Sequence, residues 1–203
     1  MVYAIVILAA YLMGCSNMAL YLAKLKKKDL RSGGTGNLGA SNATILMGWQ
    51  AGVAVGAHDI AKSALAVILA ELIFPDAPAI GAVAGVASVL GHIFPFYLKF
   101  KGGKGFASFI GMSVALNWKL ALVVLALMLV VALITDYLVA GTVTTIVLVP
   151  VSIGFITQSV LIPLIILIAT AVIAYKHRDN FVRMYNGTEF GLKSAFIKKK
   201  DQE

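Results

Sequence analysis

Apolar positions in this chain run on without the polar alternation that marks surface strands and helices. Leu120–Thr135 and Val160–Tyr175 carry no charged residue. A bilayer-spanning helix needs about 20 mainly apolar residues, and only a helix or a closed barrel satisfies its own backbone groups in hydrocarbon. Three such stretches precede the middle of the chain: Val2–Ala23, Gln50–Phe74 and Ala79–Leu98, the last two separated by the turn Pro75–Asp76–Ala77–Pro78. Phe106–Tyr175 divides into four more: Phe106–Asn117, which is short, then Trp118–Thr135, Tyr137–Ile156 and Ser159–Tyr175. Two spans there would leave about thirty apolar residues without a place in water. The expected fold is therefore all-α, a polytopic membrane protein of seven transmembrane helices forming a single domain over 1–203.

Charge orients these helices. Only 13% of the residues are charged and 60% are hydrophobic, yet the net charge is +8. The cations fall in three groups: Lys24, Lys26, Lys27, Lys28 and Arg31; Lys99, Lys101 and Lys104; and Lys176, Arg178, Arg183, Lys193, Lys198, Lys199 and Lys200. Each lies just past a long apolar run, as cytoplasmic loops do under the positive-inside rule. With the three groups on one side, the N-terminus is outside and the C-terminus cytoplasmic. That distribution points to anionic lipid headgroups rather than nucleic acid. The first apolar run is too long for a signal-peptide core and no small-residue cleavage site follows it, so it reads as a retained helix. Cys15, the single cysteine, reads as a packing residue. Gly81 and Gly85 form a small-residue pair suited to close helix approach, and Pro150 and Pro163 are candidate kinks.

The candidate chemistry sits in three polar clusters, all on the predicted cytoplasmic face. The first runs from Ser32 to Asn42 and contains Gly34, Gly36 and Gly39. A dinucleotide fold would require a preceding strand, and a membrane helix stands there instead. Glycines let backbone N–H groups approach an anion, and a helix beginning after Gly39 would aim its positive end there. Thr35, Asn37, Ser41 and Asn42 add neutral donors; a flexible loop capping the next helix is the plainer reading. The second cluster, Gly91–Gly105, brings Lys99, Lys101 and Lys104 together with Gly102, Gly103 and Gly105. Point positive charge beside exposed backbone suits a phosphate or acyl phosphate, and a positive-inside loop is the alternative. His92 by itself reads as a packed, hydrogen-bonded histidine. The third cluster holds His177 and Asn180, three apart and on one face of any continuing helix, followed by Arg183 and Glu189, which is placed to neutralise one of the cations. A solvated juxtamembrane tail is the plainer account of it.

Asp59 and Lys62 lie one turn apart inside the second span. Ionisable groups at membrane depth are costly and pair with each other or face a cavity. A buried ion pair that supports the site is expected, without direct contact to substrate.

Taken together, the clusters resemble the three cytoplasmic motifs of the bacterial acyl-phosphate:glycerol-3-phosphate acyltransferase family. From Gly34 the chain reads G-T-G-N-L-G-A-S-N-A-T-I, against the family's G-S-G-N-x-G-A-T-N-x-x-R. G-H-x-F-P and F-K-G-G-K-G are present between Gly91 and Gly105. H-x-x-N, an arginine and G-T-E follow from His177 to Glu189. The resemblance covers essentially the whole chain and implies a seven-helix enzyme of the bacterial cytoplasmic membrane with its active face inward. It implies transfer of an acyl group from acyl phosphate to the 1-hydroxyl of glycerol 3-phosphate, giving lysophosphatidic acid, with no cofactor and no obligate protein partner. It also implies that Thr35, Gly36, Asn37, Asn42, Lys101, Gly102, Gly103 and Lys104 hold substrate phosphate, and that His177 and Asn180 carry activity. Asp59, Lys62, His92 and Glu189 would then be structural supports. The family's arginine falls on Ile45, and Thr35 replaces a motif serine. Isoleucine cannot grip phosphate, so a substitute cation, another phosphorylated acceptor and a weakly active paralogue all remain open.

Two other enzyme classes fail on residue grounds. Acyltransferases that pair His with Asp five residues on would need Asp at Ser63, Tyr97 or Val182. A headgroup transferase, or any catalytic metal, would need clustered carboxylates that the sequence lacks. A transporter or binding protein for a phosphorylated metabolite is the remaining alternative, although transporter sites lie near the bilayer midplane.

Overall fold

A computed structural model describes residues 1–189 and Gly191. Lys193, Lys198, Lys199 and Lys200 of the third basic group lie outside the described residues. Among the described residues the regular structure is helical: α1 Val2–Cys15, α2 Met18–Leu25, α3 Ala40–Met47, α4 Trp49–Ile73, α5 Ile80–Ile93, α6 Phe106–Leu116, α7 Trp118–Thr135, α8 Leu138–Thr157, α9 Leu161–Lys176 and α10 Arg178–Tyr185. Five stretches are long and apolar enough to cross a membrane: Val2–Leu25, Trp49–Ile73, Ile80–Leu98, Trp118–Thr135 and Leu138–Thr157. A sixth is counted if α9 and α10, bent by 51° at His177, act as one span. The chain is thus a multi-pass membrane protein. Helix α6 has 11 residues, about 16 Å of helix against a hydrocarbon core of about 30 Å.

The helices cluster into two compact units, Met1–Asn117 and Trp118–Glu203. In the first, α1 packs on α5, and α4 packs on α3, α5 and α6. Gly14, which the sequence did not single out, and Gly91, read there as part of the second cluster, allow the α1–α5 crossing. A Cβ at Gly14 would collide with the Ser88 carbonyl, and one at Gly91 with the Tyr11 carbonyl. Gly81 and Gly85 instead face Glu71 of α4 and Met112 of α6. In the second unit, α8 packs between α7 and α9, and the Thr170 hydroxyl donates to the Ile146 carbonyl at 3.1 Å. Pro150 lies within α8, whereas Pro163 is third in α9, a first-turn position where a missing N–H costs no helical bond.

The first span departs from the uninterrupted helix expected over Val2–Ala23. It breaks at Ser16–Asn17, where the Asn17 side chain caps α2 by accepting from the Leu20 N–H at 2.9 Å. A break inside a bilayer is tolerable only when protein groups satisfy the released carbonyls. The Tyr97 hydroxyl donates to the Cys15 carbonyl at 2.7 Å and the Lys62 ammonium to the Ser16 carbonyl at 2.7 Å. The third span likewise does not run straight to Leu98. Helix α5 ends at Ile93, before Pro95, and the chain continues as a single 3-10 turn over Phe96–Leu98.

Candidate active site

The first glycine segment is laid over a small core of Ala19, Ala23, Leu30, Leu38, Ala43, Met47, Ala51 and Val55. Gly34 and Gly36 adopt left-handed conformations, φ 61° and 66°, which glycine reaches without the Cβ penalty. Helix α3 begins after Gly39, as the glycine pattern predicts. Asn42, expected as a donor to the ligand, is turned inward and is 0% exposed. Its amide oxygen accepts the Thr35 N–H at 2.7 Å and its amide nitrogen donates to the Leu30 carbonyl at 2.7 Å. Asn42 therefore shapes the loop from beneath. The Gly36 N–H is also used, on the Gly33 carbonyl at 3.1 Å. Asn17, a residue the sequence reading missed, reaches the Leu38 carbonyl at 3.4 Å; an Asn before an apolar helical run is an N-cap signal that could have revealed it. Thr35 is exposed and Asn37 half-buried on the outer side of this loop. Ile45 is 56% exposed, one turn beyond Asn42. At the root of the loop the Arg31 backbone N–H donates to Asp29 Oδ1 at 2.8 Å. That bond, with a contribution from Ser32, holds the Asp29 carboxyl below the usual carboxylate range.

The second segment folds back on the end of α5. The Gly102 N–H donates to the Ile93 carbonyl at 3.0 Å and the Gly103 N–H to the His92 carbonyl at 3.2 Å. These two donors, expected to face an anion, are thus occupied within the protein. The glycines are needed for close approach instead. A Cβ at Gly102 would meet the His92 carbonyl and lie 2.6 Å from Pro95 Cδ, and one at Gly103 would strike His92 Nε2. What the loop presents outward is cationic: Lys101 is exposed and Lys104 half-buried. The two loops are drawn together by Arg31, whose Nη2 donates to the Lys101 carbonyl at 2.9 Å across 70 residues of sequence.

Beneath the second loop lies a buried polar cluster. Lys62 Nζ is 2.7 Å from Asp59 Oδ1, 2.7 Å from the Ser16 carbonyl and 3.0 Å from His92 Nδ1. Three acceptors match the three N–H donors of an ammonium. His92 Nδ1 also lies 3.2 Å from Asp59 Oδ1, so this nitrogen faces both members of the ion pair while Nε2 faces Gly103. Asp59, Lys62 and His92 are 2%, 6% and 3% exposed. Removing one partner from such a buried pair costs about 3–5 kcal/mol. The cluster thus joins the break in the first span to the underside of the lysine-bearing loop.

The third cluster belongs to the second unit. His177 ends α9 and begins α10, and it is 7% exposed. Its Nδ1 lies 2.8 Å from the Ile173 carbonyl. A carbonyl only accepts, so Nδ1 carries the proton in the neutral ring and Nε2 carries the lone pair. The Asn180 N–H donates to the His177 carbonyl at 2.9 Å. Glu189 accepts from Asn180 Nδ2 at 2.6 Å and from Arg183 Nε at 2.7 Å. The carboxylate pairs with one of the nearby cations and fixes the Asn180 amide, with its oxygen directed away from that bond.

These features meet a known family. The sequence model described as glycerol-3-phosphate acyltransferase matches residues 4–187. Glycerol-3-phosphate acyltransferase 1 of Oceanobacillus iheyensis is 33% identical over 208 residues, spanning 98% of this chain and 99% of its own. The glycerol-3-phosphate acyltransferase of Shewanella sediminis is 37% identical over 184 residues, 90% of each chain. The crystal structure of PlsY (YgiH), an integral membrane glycerol 3-phosphate acyltransferase, in its glycerol 3-phosphate form, aligns with a TM-score of 0.89 at 30% identity, over 96% of this chain and 98% of that one. Its lysophosphatidic acid form aligns with a TM-score of 0.85 over 93% and 94%. With nearly its whole length matched by sequence and by structure, the chain belongs to the glycerol-3-phosphate acyltransferase family.

Proposed function

We propose that this chain transfers an acyl group from acyl phosphate to the 1-hydroxyl of glycerol 3-phosphate, releasing inorganic phosphate and lysophosphatidic acid. The whole of 1–203 serves as one catalytic domain with seven membrane crossings, α6 being the short one. The N-terminus is outside and the three polar clusters face the cytoplasm at the bacterial inner membrane. The observation that carries the proposal is the bond from Arg31 to the Lys101 carbonyl. It joins the two glycine segments into one cationic surface, which supports a site at the cytoplasmic ends of the helices over the midplane position usual in transporters.

An acyl phosphate is already activated, so proximity, charge neutralisation and proton removal suffice. In the first unit Thr35 and Asn37 offer polar side chains, shaped by the turn at Gly36 and by Asn42 beneath. Lys101 and Lys104 neutralise phosphate, held in place by Gly102 and Gly103. His177 Nε2 takes the proton of the acceptor hydroxyl as its oxygen attacks the acyl carbon. The carbonyl carbon–phosphate oxygen bond breaks, and the proton passes to the departing phosphate. Asn180 orients the substrate, while Glu189, Asp59, Lys62 and His92 are supports. No cofactor and no protein partner enter this scheme; membrane lipid surrounds the acyl chain.

Purified protein incubated with palmitoyl phosphate and glycerol 3-phosphate is expected to yield lysophosphatidic acid by mass spectrometry. Uptake of glycerol 3-phosphate into vesicles without an acylated product would instead mark a transporter. In the same assay Lys104→Ala is expected to raise the glycerol 3-phosphate KM and lower turnover. The loss of one charged hydrogen bond, about 1.5–3 kcal/mol, corresponds to roughly ten- to a hundredfold. Wild-type kinetics in that variant would remove Lys104 from the substrate site.

A further inference from the structure

Arg31 is more than a strap between loops. Between Asp29 and Met47 it is the only cationic side chain, and it is exposed. Two of its neighbours in the first basic group, Lys26 and Lys28, are committed elsewhere. The Lys26 and Lys28 ammonium groups donate to the Met47 and Leu46 carbonyls at 3.2 and 2.5 Å. They cap the C-terminal end of α3, where the helix dipole favours a cation. The Arg31 backbone is fixed on both sides, by the Asp29 carboxylate on its N–H and by Leu30, 2% exposed, beneath the loop. Its guanidinium spends one of five N–H donors on the Lys101 carbonyl. The Asp29 carboxylate lies within electrostatic reach of the same side chain, and four N–H donors remain, enough for a two-point grip. That bond holds the planar fork against the lysine loop, while the Arg31 backbone carbonyl would lie 3.4 Å from a Cβ at Gly36 of the exposed first loop. Position 45, by contrast, carries an exposed isoleucine whose Cγ2 would lie 3.4 Å from a Cβ at Gly34, so the outer face of α3 offers no charge there.

We propose that Arg31 grips a substrate phosphate at the junction of the two glycine loops, supplying the two-point cationic contact that Ile45 cannot. This rests on the acyltransferase reading for the identity of the phosphate, which belongs either to the acceptor or to the acyl donor. A guanidinium suits a phosphate because two parallel N–H bonds match two of its oxygens, which an ammonium cannot reproduce.

The test is calorimetric titration of the detergent-solubilised protein with glycerol 3-phosphate and with palmitoyl phosphonate, a donor analogue that cannot transfer its acyl group. Arg31→Ala and Arg31→Lys are compared with wild type, alongside Tm. Arg31→Ala is expected to weaken one of the two ligands roughly ten- to a hundredfold, with the other ligand within threefold and Tm little changed. The ligand affected identifies the phosphate. Arg31→Lys should recover only part of that loss. The inference is overturned if Arg31→Ala binds both ligands within twofold of wild type. It is also overturned if both weaken equally with a lowered Tm and Arg31→Lys restores both, since an ammonium can still reach the Lys101 carbonyl and a strap is then all that Arg31 provides. A wild-type protein that binds neither ligand overturns this inference and the acyltransferase reading together. One that binds both without forming product overturns the acyl-transfer reading alone.

Discussion

Replacing His177 with alanine is expected to lower kcat by about two to four orders of magnitude, the usual contribution of a positioned base, with the glycerol 3-phosphate KM within a few-fold of wild type. The expectation comes from the ring's anchorage. The Ile173 carbonyl, 2.8 Å from Nδ1, accepts from that nitrogen, so Nε2 is the basic atom of the neutral ring. At 7% exposure the ring also has little room to reorient. Removing it takes away a group that acts as the hydroxyl attacks and that ground-state binding does not need, so kcat and kcat/KM fall together. Steady-state kinetics with purified variant and palmitoyl phosphate measure this directly. A kcat within tenfold of wild type would move the proton acceptor elsewhere, the acceptor's own phosphate being the nearest chemical substitute.

Gly102→Ala is expected to reduce kcat/KM at least a hundredfold without touching any ionisable group. The new Cβ would fall against the His92 carbonyl, 2.6 Å from Pro95 Cδ and 3.0 Å from the Ile93 carbonyl. Two of those neighbours are backbone at the end of α5 and cannot swing aside. The loop must lift, and the bonds from Gly102 and Gly103 to Ile93 and His92 lengthen or break. A displacement of about 1 Å in a positioning element costs on the order of a hundredfold in rate, and Lys101 and Lys104 ride on this one. Kinetics at saturating donor, with size-exclusion chromatography to verify a folded sample, read the effect. An active, well-folded Gly102→Ala would mean that the loop's seat on α5 does not set the position of its lysines.

The contrast between Asn42 and Arg31 shows how the division between sequence and structure falls at the site itself. Arg31 lies in the loop and Asn42 in the first turn of α3 that follows it, and the motif pattern favoured Asn42 as a ligand. Folding turns Asn42 beneath the loop, where both ends of its amide are used on backbone, and leaves Arg31, outside the motif, at the seam. Likewise the glycines of the lysine loop carried the right message for a tight structure, but their N–H groups are spent on α5 rather than on an anion. Composition reports which groups are available. It cannot report which of their donors are already occupied.

By itself the sequence determined a helical membrane protein, most of the span boundaries, the Asp59–Lys62 pair and the start of α3 after Gly39. Each of these follows from interactions over a few residues, or from the bilayer's demand for long apolar runs. Only the tertiary structure decided the break at Ser16–Asn17 and its satisfaction by Tyr97 and Lys62. The same holds for the Gly14 and Gly91 contacts of α1 with α5, and for the bond from Arg31 to Lys101. Those depend on groups 46 to 82 residues apart, where no local period constrains the chain and only the packed fold fixes which donor meets which acceptor.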